Sequence, residues 1–567
     1  MNRQASIAAQ DYTIPLQPIE RPVSFDPLPP TSLTQWWRGV ADRHGDRIAV
    51  ITDARETHYS DLDAQSAALA RGLLALGLGK GARVGIMLPN GAEWIAAWLA
   101  VSRIGGIAVA LSTFASPGEL RYAVQHADCA VLLTANTYLG HDYVAKLVEA
   151  FPALVKRQNG SPILDPDCPY LRRIFFNGAA PDWSDGDLAA LAAGAVDFGD
   201  AMLAAVETTV APSDDALLMY TSGSTANPKA VIHIHAALVD KIDRLARMKT
   251  IIPLGTGPDD RMLISNPFFW IGGWIGMTVA LDAGASIILE DDHSPRATLD
   301  AVRRHNITQI GGTPGLLGSI TQLPDFRPDD FASLRIQNTS QWPFFCQAEG
   351  KPASRYAAAI GMTETIGPHS GYWYAGELPD GLDGTMGPPL EGMEFRIVDP
   401  DTGAICANGT PGELQVRGIW VMDRFYKRLR NETFTVDGFY PTGDECTMDG
   451  ECRIWFHHRL GGMIKTSGAN VSPEEVEFAL RSIEGIIESA VFPVSDAKAG
   501  QIVAAAIVKD RSSDIDEPSI KQRLRPLLSA FKIPKIFRFV DRDDLPRTPS
   551  DKIRRVEVAK LFNEGRL

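Results

Sequence analysis

Residues Leu217 to His235 read LLMYTSGSTANPKAVIHIH, and the rest of the chain is interpreted outward from this stretch. Leu217 to Tyr220 is a short apolar run with the composition of a buried strand. Thr221, Ser222, Gly223, Ser224 and Thr225 follow as a hydroxyl-rich turn, with a glycine where backbone must come close to a ligand. Asn227, Pro228 and Lys229 then lead into a second β-prone run at Val231 and Ile232. Backbone N–H groups, hydroxyls and one lysine in such a loop make a cradle for phosphate oxygens. It is not a Walker loop, because the G-x-x-x-x-G-K-[ST] spacing is missing. Taken alone, the lesser alternative is an ordinary Ser/Thr/Gly surface turn.

At 567 residues the chain is too long for one hydrophobic core, so two or more domains are expected. A composition of 45% hydrophobic and 22% charged residues is that of a soluble globular protein. The net charge of −14 and the absence of a long Lys/Arg run argue against a general nucleic-acid binder. Six scattered cysteines (Cys129, Cys168, Cys346, Cys406, Cys446 and Cys452) form no C-x-x-C, so neither a zinc site nor a disulfide framework is indicated. A reducing, cytoplasmic setting fits that usage. The first twenty residues lack the apolar core of a signal peptide. The most apolar segment, Pro267 to Leu281, is too short and glycine-rich for a membrane span.

In chain order, residues 1–30 are Pro-rich and aperiodic, which predicts an extended arm. Ser60 and Asp61 can cap a helix whose apolar stripe is Leu62, Leu69, Leu73 and Leu74. Val84 to Leu88 reads as a strand, and Pro89-Asn90-Gly91 turns into a helix through Trp94. Strands alternate with helices at this rhythm through much of the first two-thirds, which predicts parallel sheets with helices on their faces. Between Met262 and Leu289, Gly272, Gly273 and Gly276 can leave space beside a helix, and Gly311, Gly312 and Gly315 add further small residues. A cleft for an acyl chain or fused-ring acid and simple close packing of helix on sheet both fit these glycines.

Three further motifs follow in order. They are Ile360-Gly361-Met362-Thr363-Glu364-Thr365, then Tyr440-Pro441-Thr442-Gly443-Asp444 with Arg459 beyond it, and last Pro546-Arg547-Thr548-Pro549-Ser550-Asp551-Lys552-Ile553. With the Leu217–His235 stretch they resemble the adenylate-forming superfamily, which includes acyl-CoA synthetases, firefly luciferase and peptide-synthetase adenylation domains. The likeness covers the chain from Thr31 to Arg555 and is greatest to acid–CoA ligases of the fatty-acyl-CoA synthetase type.

The resemblance implies an α/β fold. A large N-terminal adenylation domain, residues 31–460, would combine parallel-sheet subdomains with a β-rich subdomain, and a small mobile α+β domain would span 461–567. It implies that Thr221 to Thr225 and Lys229 hold ATP phosphates, that Thr363 contacts AMP, and that Glu364 helps hold Mg²⁺. A single carboxylate suits magnesium, which bridges one or two protein oxygens to phosphates. Asp444 would accept both ribose hydroxyls, since a carboxylate takes two donors at once, and Arg459 would contact ribose and phosphate. Lys552 falls on the catalytic lysine, Gly461 on the hinge, and Gly468 on the glycine that lets the CoA arm pass. Trp270, Gly272 and Gly312 fall on the acid pocket, with Trp342, Phe344 and Phe345 as further wall candidates. No acid falls between Asn266 and Leu281, which argues against an amino-acid substrate.

Four positions depart from the family pattern: Ala226 and Asp551 stand where glycine is usual, Ile360 where an aromatic is frequent, and Gly461 where Asp or Lys is usual. The implied activity is activation of an apolar carboxylic acid with ATP, Mg²⁺ and CoA, with the oligomeric state left open and a homodimer one candidate. An acyl-AMP ligase serving a carrier protein, a luciferase-like oxidation and a catalytically degenerate nucleotide-binding homologue remain open.

Overall fold

Asp215–Thr221 and Lys229–Ile234 form adjacent antiparallel strands, with Thr221 directly opposite Lys229. The strands on either side of residues 222–227 therefore pair with each other, whereas a Walker loop joins a strand to a helix. The computed structural model describes residues 29–158, 160–195, 198–221, 228–247, 256–311, 316–334, 353–355, 358–372, 378–460, 462–466, 469–496, 499–510, 512–547 and 553–567. The expected arm up to residue 28 lies outside the described residues. So do Ser222, Gly223, Ser224, Thr225, Ala226, Gly312, Gly461, Gly468, Asp551, Lys552 and the aromatic segment with Trp342, Phe344 and Phe345.

The hairpin belongs to a seven-stranded sheet. Its order is Arg424–Phe425, Lys229–Ile234, Asp215–Thr221, Ile107–Ala110, Arg83–Met87, Val131–Ala135 and Arg173–Asn177. The last five strands run parallel, and the two at the hairpin end are antiparallel. A second sheet joins Gln309–Gly311, Arg261–Ile264, Ser286–Ile288 and Ile48–Ile51 in parallel, with Glu56–His58 antiparallel at its edge. Helices cover these sheets, which is why strands such as Val131–Ala135 are buried at every position. The glycine-rich helix Ile271–Ala283 and the tryptophan-bearing helix Ala92–Arg103 pack through Trp98 and Trp274, whose rings meet edge-on at 5.7 Å. The expected Ser60 cap is displaced. The helix begins at Tyr59, and the His58 amide donates to Asp61 at 2.9 Å, because the strand Glu56–His58 runs straight into it.

The β-rich part is a four-stranded antiparallel sheet of Met393–Val398, Gly412–Gly418, Tyr440–Met448 and Ile454–Arg459. Beyond it the chain builds a smaller α+β unit. There Ile464–Thr466, Ala469–Val471, Ile486–Asp496 and Gly500–Lys509 pair antiparallel, and Ile536–Phe539 adds a parallel strand. Along Gly500–Lys509, Val503, Ala505 and Ile507 enter one apolar cluster, and Ala504, Ala506 and Val508 enter another. This strict alternation follows from a sheet covered on both faces. The first face carries the helices Pro473–Arg481 and Glu517–Leu524, and the second carries Arg555–Asn563. Together these are the α/β large unit and α+β small unit that the motif order implies. Among the described residues no helix is long and apolar enough to cross a membrane.

Candidate active site

A cleft of about 890 Å³ lies where the large sheets, the β-rich sheet and the small unit meet. Of the residues singled out from the sequence, Thr221, Lys229, Trp270, Gly272, Thr363, Glu364, Asp444 and Arg459 all line it.

The β-rich sheet supplies one wall. Asp444 and Arg459 are direct partners on the neighbouring strands Tyr440–Met448 and Ile454–Arg459. Arg459 Nη1 lies 3.4 Å from Asp444 Oδ1, and its Nη2 donates to the Thr442 carbonyl at 3.2 Å. The Thr442–Asp444 segment of the first strand is pinned at three points. Thr442 donates to the Leu414 carbonyl at 2.7 Å, the Asp444 amide donates to Thr442 Oγ1 at 3.1 Å, and the Gly443 amide donates to Glu413 at 3.2 Å. Gly443 has φ +75°, a left-handed turn that glycine reaches without steric cost. Asp444 is nearly buried, and burial raises its pKa against the opposing pull of Arg459 and Lys465.

Glu364 lies on the single turn Thr363–Thr365, fixed from several sides. Its carbonyl accepts from the Met422 amide at 2.7 Å, and Thr365 donates to the Gly367 carbonyl at 2.7 Å. His233 Nε2 lies 2.8 Å from the Thr363 carbonyl, and burial pushes this imidazole down to about 4. It therefore stays neutral at physiological pH and donates from Nε2. Burial also raises the Glu364 pKa, opposed by Arg459 and Lys229. The Lys229 ammonium lies 5.3 Å from the Phe425 ring centre. Its pKa is lowered by burial and by Arg428, with Glu364 pulling the other way. Paired, half-desolvated charges of both signs in one cleft mark a place built for a polyanionic ligand.

Among the described residues no group of three or more His, Cys, Asp or Glu side chains is arranged to hold a metal by itself. Glu364 is a buried carboxylate facing the cleft beside cationic side chains. That fits a magnesium ion whose other ligands are water and phosphate oxygens.

The glycine-rich helix resolves the two interpretations of its glycines position by position. A Cβ on Gly273 would lie 2.0 Å from the Pro267 carbonyl oxygen, so this glycine serves close packing. A Cβ on Gly272 would meet the Asn266 side chain at 3.7 Å, an ordinary contact. Gly272 faces the cleft beside Trp270, which is packed edge-on against Phe269 at 5.7 Å.

Several lining residues carried no sequence signal of their own. Glu413 acts through the Gly443 amide. Tyr122 donates to the carbonyl of Pro228, where the described chain resumes after residue 227, at 3.2 Å. Glu119, Ser529 and Lys532 come together across more than 400 residues of chain. Tyr440 was visible inside the Y-P-T-G-D motif, but its electrostatic coupling to Glu364 was not.

Family models match the chain in two places. The model for AMP-binding enzymes matches residues 37–426, and that for the AMP-binding enzyme C-terminal domain matches residues 475–552. The chain belongs to the AMP-binding enzyme family. It is thus an adenylate-forming enzyme, and its catalogued relatives include acyl-CoA synthetases and CoA ligases. One is the 3-hydroxybenzoate–CoA ligase of Aromatoleum sp. (strain CIB), 28% identical over 93% of this chain and 96% of that protein. Another is a 3-[(3aS,4S,7aS)-7a-methyl-1,5-dioxo-octahydro-1H-inden-4-yl]propanoyl:CoA ligase of Mycobacterium tuberculosis (strain ATCC 25618 / H37Rv). It is 29% identical over 91% of this chain and 96% of its own length. Among solved structures, a variant of the o-succinylbenzoate CoA synthetase of Bacillus subtilis has the same fold. Its TM-score is 0.71 at 24% identity, covering 94% of this chain and 99% of that one.

Within this family member, the small unit turns a defined face to the cleft. Met463, Lys465, Ala469 and Asn470, on either side of residues 467–468, line it. Arg547 and Ile553, which flank Lys552, do not. Arg547 pairs with Glu488 at 2.6 Å, and Ile553 packs on the cluster around Val558.

Proposed function

We propose that this family member is an ATP-dependent acid–CoA ligase that activates an apolar carboxylic acid as acyl-AMP, releases pyrophosphate and transfers the acyl group to CoA. The observation that carries this conclusion is the convergence of the Asp444–Arg459 pair, buried Glu364 and Lys229 on one cleft that Trp270 and Gly272 also line. A cleft lined by charges for a nucleotide and by the aromatic rings Phe269 and Trp270 suits an acid without a cationic group. Relatives that bear the names of aromatic and fused-ring acids support the same class.

The chemistry assigns each part. A carboxylate is a poor electrophile and must first gain a leaving group. Its oxygen attacks the α-phosphorus of ATP, and pyrophosphate departs. Two anions meet in that step, so positioned cations supply the main catalytic term. Lys229 takes the β- and γ-phosphates with the hydroxyls of Thr221, Ser222, Ser224 and Thr225, and Gly223 allows close approach. Asp444 accepts both ribose hydroxyls, Arg459 lies beside it, and Thr363 contacts AMP. Glu364 would hold Mg²⁺, which when bound neutralises phosphate charge. Lys552 bridges the substrate carboxylate and the α-phosphate. The small unit, residues 461–567, then turns about Gly461, withdraws Lys552 and brings Gly468 to the cleft. The CoA sulfur attacks the acyl carbon, its proton passes to solvent, and AMP leaves.

The deciding experiment measures pyrophosphate release from ATP and Mg²⁺ across a panel of acids, with and without CoA. Release that depends on one class of acid, with thioester formed once CoA is added, is expected. ADP and phosphate as products, or acyl-AMP that passes to a carrier protein and not to CoA, would overturn the assignment.

A further inference from the structure

One buried charge cluster beside the cleft has no part in the steps above. Lys532 is 8% exposed, and its ammonium donates to Glu119 Oε1 at 2.7 Å and to Glu475 Oε1 at 2.6 Å. Glu475 lies on the helix Pro473–Arg481 of the small unit, and Lys532 follows the helix Glu517–Leu524 of the same unit. Glu119 lies on the helix Pro117–His126 of the large unit. The other oxygen of Glu119 accepts from the Ser529 hydroxyl and, at 2.7 Å, from the Ser116 amide. The adjoining backbone is joined as well, the Gly118 amide donating to the Pro526 carbonyl at 3.0 Å. Phe531 of the small unit packs edge-on against Phe114, which itself packs against Trp270.

The arrangement has a direction. Glu475 travels with Lys532, so the small unit presents an ammonium that is already held in place. Glu119 is fixed by the capping box of its own helix, so the large unit presents a rigid acceptor. Two carboxylates share one ammonium, and Glu475 Oε2 is buried without a hydrogen-bond partner. Without Lys532, two buried carboxylates would face each other across the boundary, which strongly disfavours this docking. The docked orientation is the one in which Lys465, Ala469 and Asn470 line the cleft and the flanks of Lys552 do not.

We propose that Lys532 is a positioning residue for thioester formation: through Glu119 it seats the small unit with the hairpin Ile464–Val471 against the cleft. The inference rests on the acid–CoA ligase assignment. It separates the two half-reactions, because bringing Lys552 to the α-phosphate requires Glu119 to release Lys532.

The test compares the wild type with Lys532→Met, Glu119→Gln and the double variant. Glutamine at 119 retains the capping box, so the helix start survives. Adenylation is followed by acid-dependent ATP–pyrophosphate exchange, and the second step by thioester formation from supplied acyl-AMP and CoA. Lys532→Met is expected to slow thioester formation about tenfold or more while exchange stays within about twofold. The double variant is expected to recover at least about threefold of that loss, because the facing carboxylates are no longer both charged. Equal losses in both half-reactions, or a double variant no better than Lys532→Met, overturn the proposal. Spin labels on one exposed residue of each unit read the seating without chemistry. Lys532→Met should displace the label distance from its wild-type value, and the double variant should bring it back. Unmoved labels refute the seat even if the ligase chemistry stands. Labels that move as stated in an enzyme that makes no acyl-AMP would leave the seat standing and refute the ligase assignment instead.

Discussion

Glu364 is held in a place that suits a ligand better than it suits a carboxylate alone. Burial raises its pKa, so in the folded protein the ionised form is disfavoured relative to the unfolded chain. A carboxyl with a raised folded pKa contributes stability below the usual glutamate range and loses it as pH rises through the folded value. Glu364→Gln imitates the protonated form at every pH. The variant should therefore melt above wild type near neutral pH and lose that advantage as the pH falls into the usual glutamate range. Thermal unfolding across pH checks the sign, and a variant less stable at neutral pH would contradict it. The same variant should lose adenylation by about a hundredfold or more. Asp444 makes a different demand, because its two oxygens are suited to two hydroxyl donors. Wild type should prefer ATP to 2′-deoxy-ATP by about tenfold, and Asp444→Asn should raise the KM for ATP and erase most of that preference. Steady-state kinetics with both nucleotides decides this.

The glycine-rich helix Ile271–Ala283 separates packing from pocket within two residues. Gly273→Ala forces a Cβ against the Pro267 carbonyl and should cost about 1–3 kcal/mol, read as a lower melting temperature. Gly272→Ala meets no such contact. It should fold normally and shift acid preference toward smaller acids, read from KM values across a homologous series. The sequence made the run of glycines visible but not the division of labour, because that depends on which side of the helix the Asn266–Pro267 backbone passes. Elements with a strong apolar signal were legible: the strands at residues 84 and 217 both exist, within a residue or two of the expected ends. Edge pairings were not. Arg424–Phe425 closes the seven-stranded sheet against Val231 and Ile232 from almost 200 residues downstream, and two residues carry no periodicity. The helix cap was misplaced because the cap amide is taken by Asp61 three residues on, a bond that Ser60 could mimic equally well in a linear reading.

At the scale of the whole molecule, the motif order made the two units legible, but their mutual orientation depends on contacts that no local pattern encodes. The Ser116–Glu119 capping box reads as a helix start and nothing more; its meeting with Lys532 is a property of docking. That docking bears on Lys552. The residues of the small unit that line the cleft lie between Met463 and Lys532, and the described residues around Lys552 pack on the far cluster with Leu545 and Val558. An enzyme that needs both Lys552 and the 464–471 hairpin at one cleft must present them in turn. Removing Lys552 should then damage one turn and spare the other. Lys552→Ala is expected to reduce acid-dependent ATP–pyrophosphate exchange by about a hundredfold or more, because a cation poised between two reacting anions is lost. Thioester formation from supplied acyl-AMP and CoA should stay within a few-fold of wild type, because on the proposed mechanism the second step draws on the 464–471 hairpin and not on Lys552. Parallel loss of both half-reactions would mean that Lys552 acts on the fold or on both steps, and alternation between two seated orientations would no longer account for the enzyme.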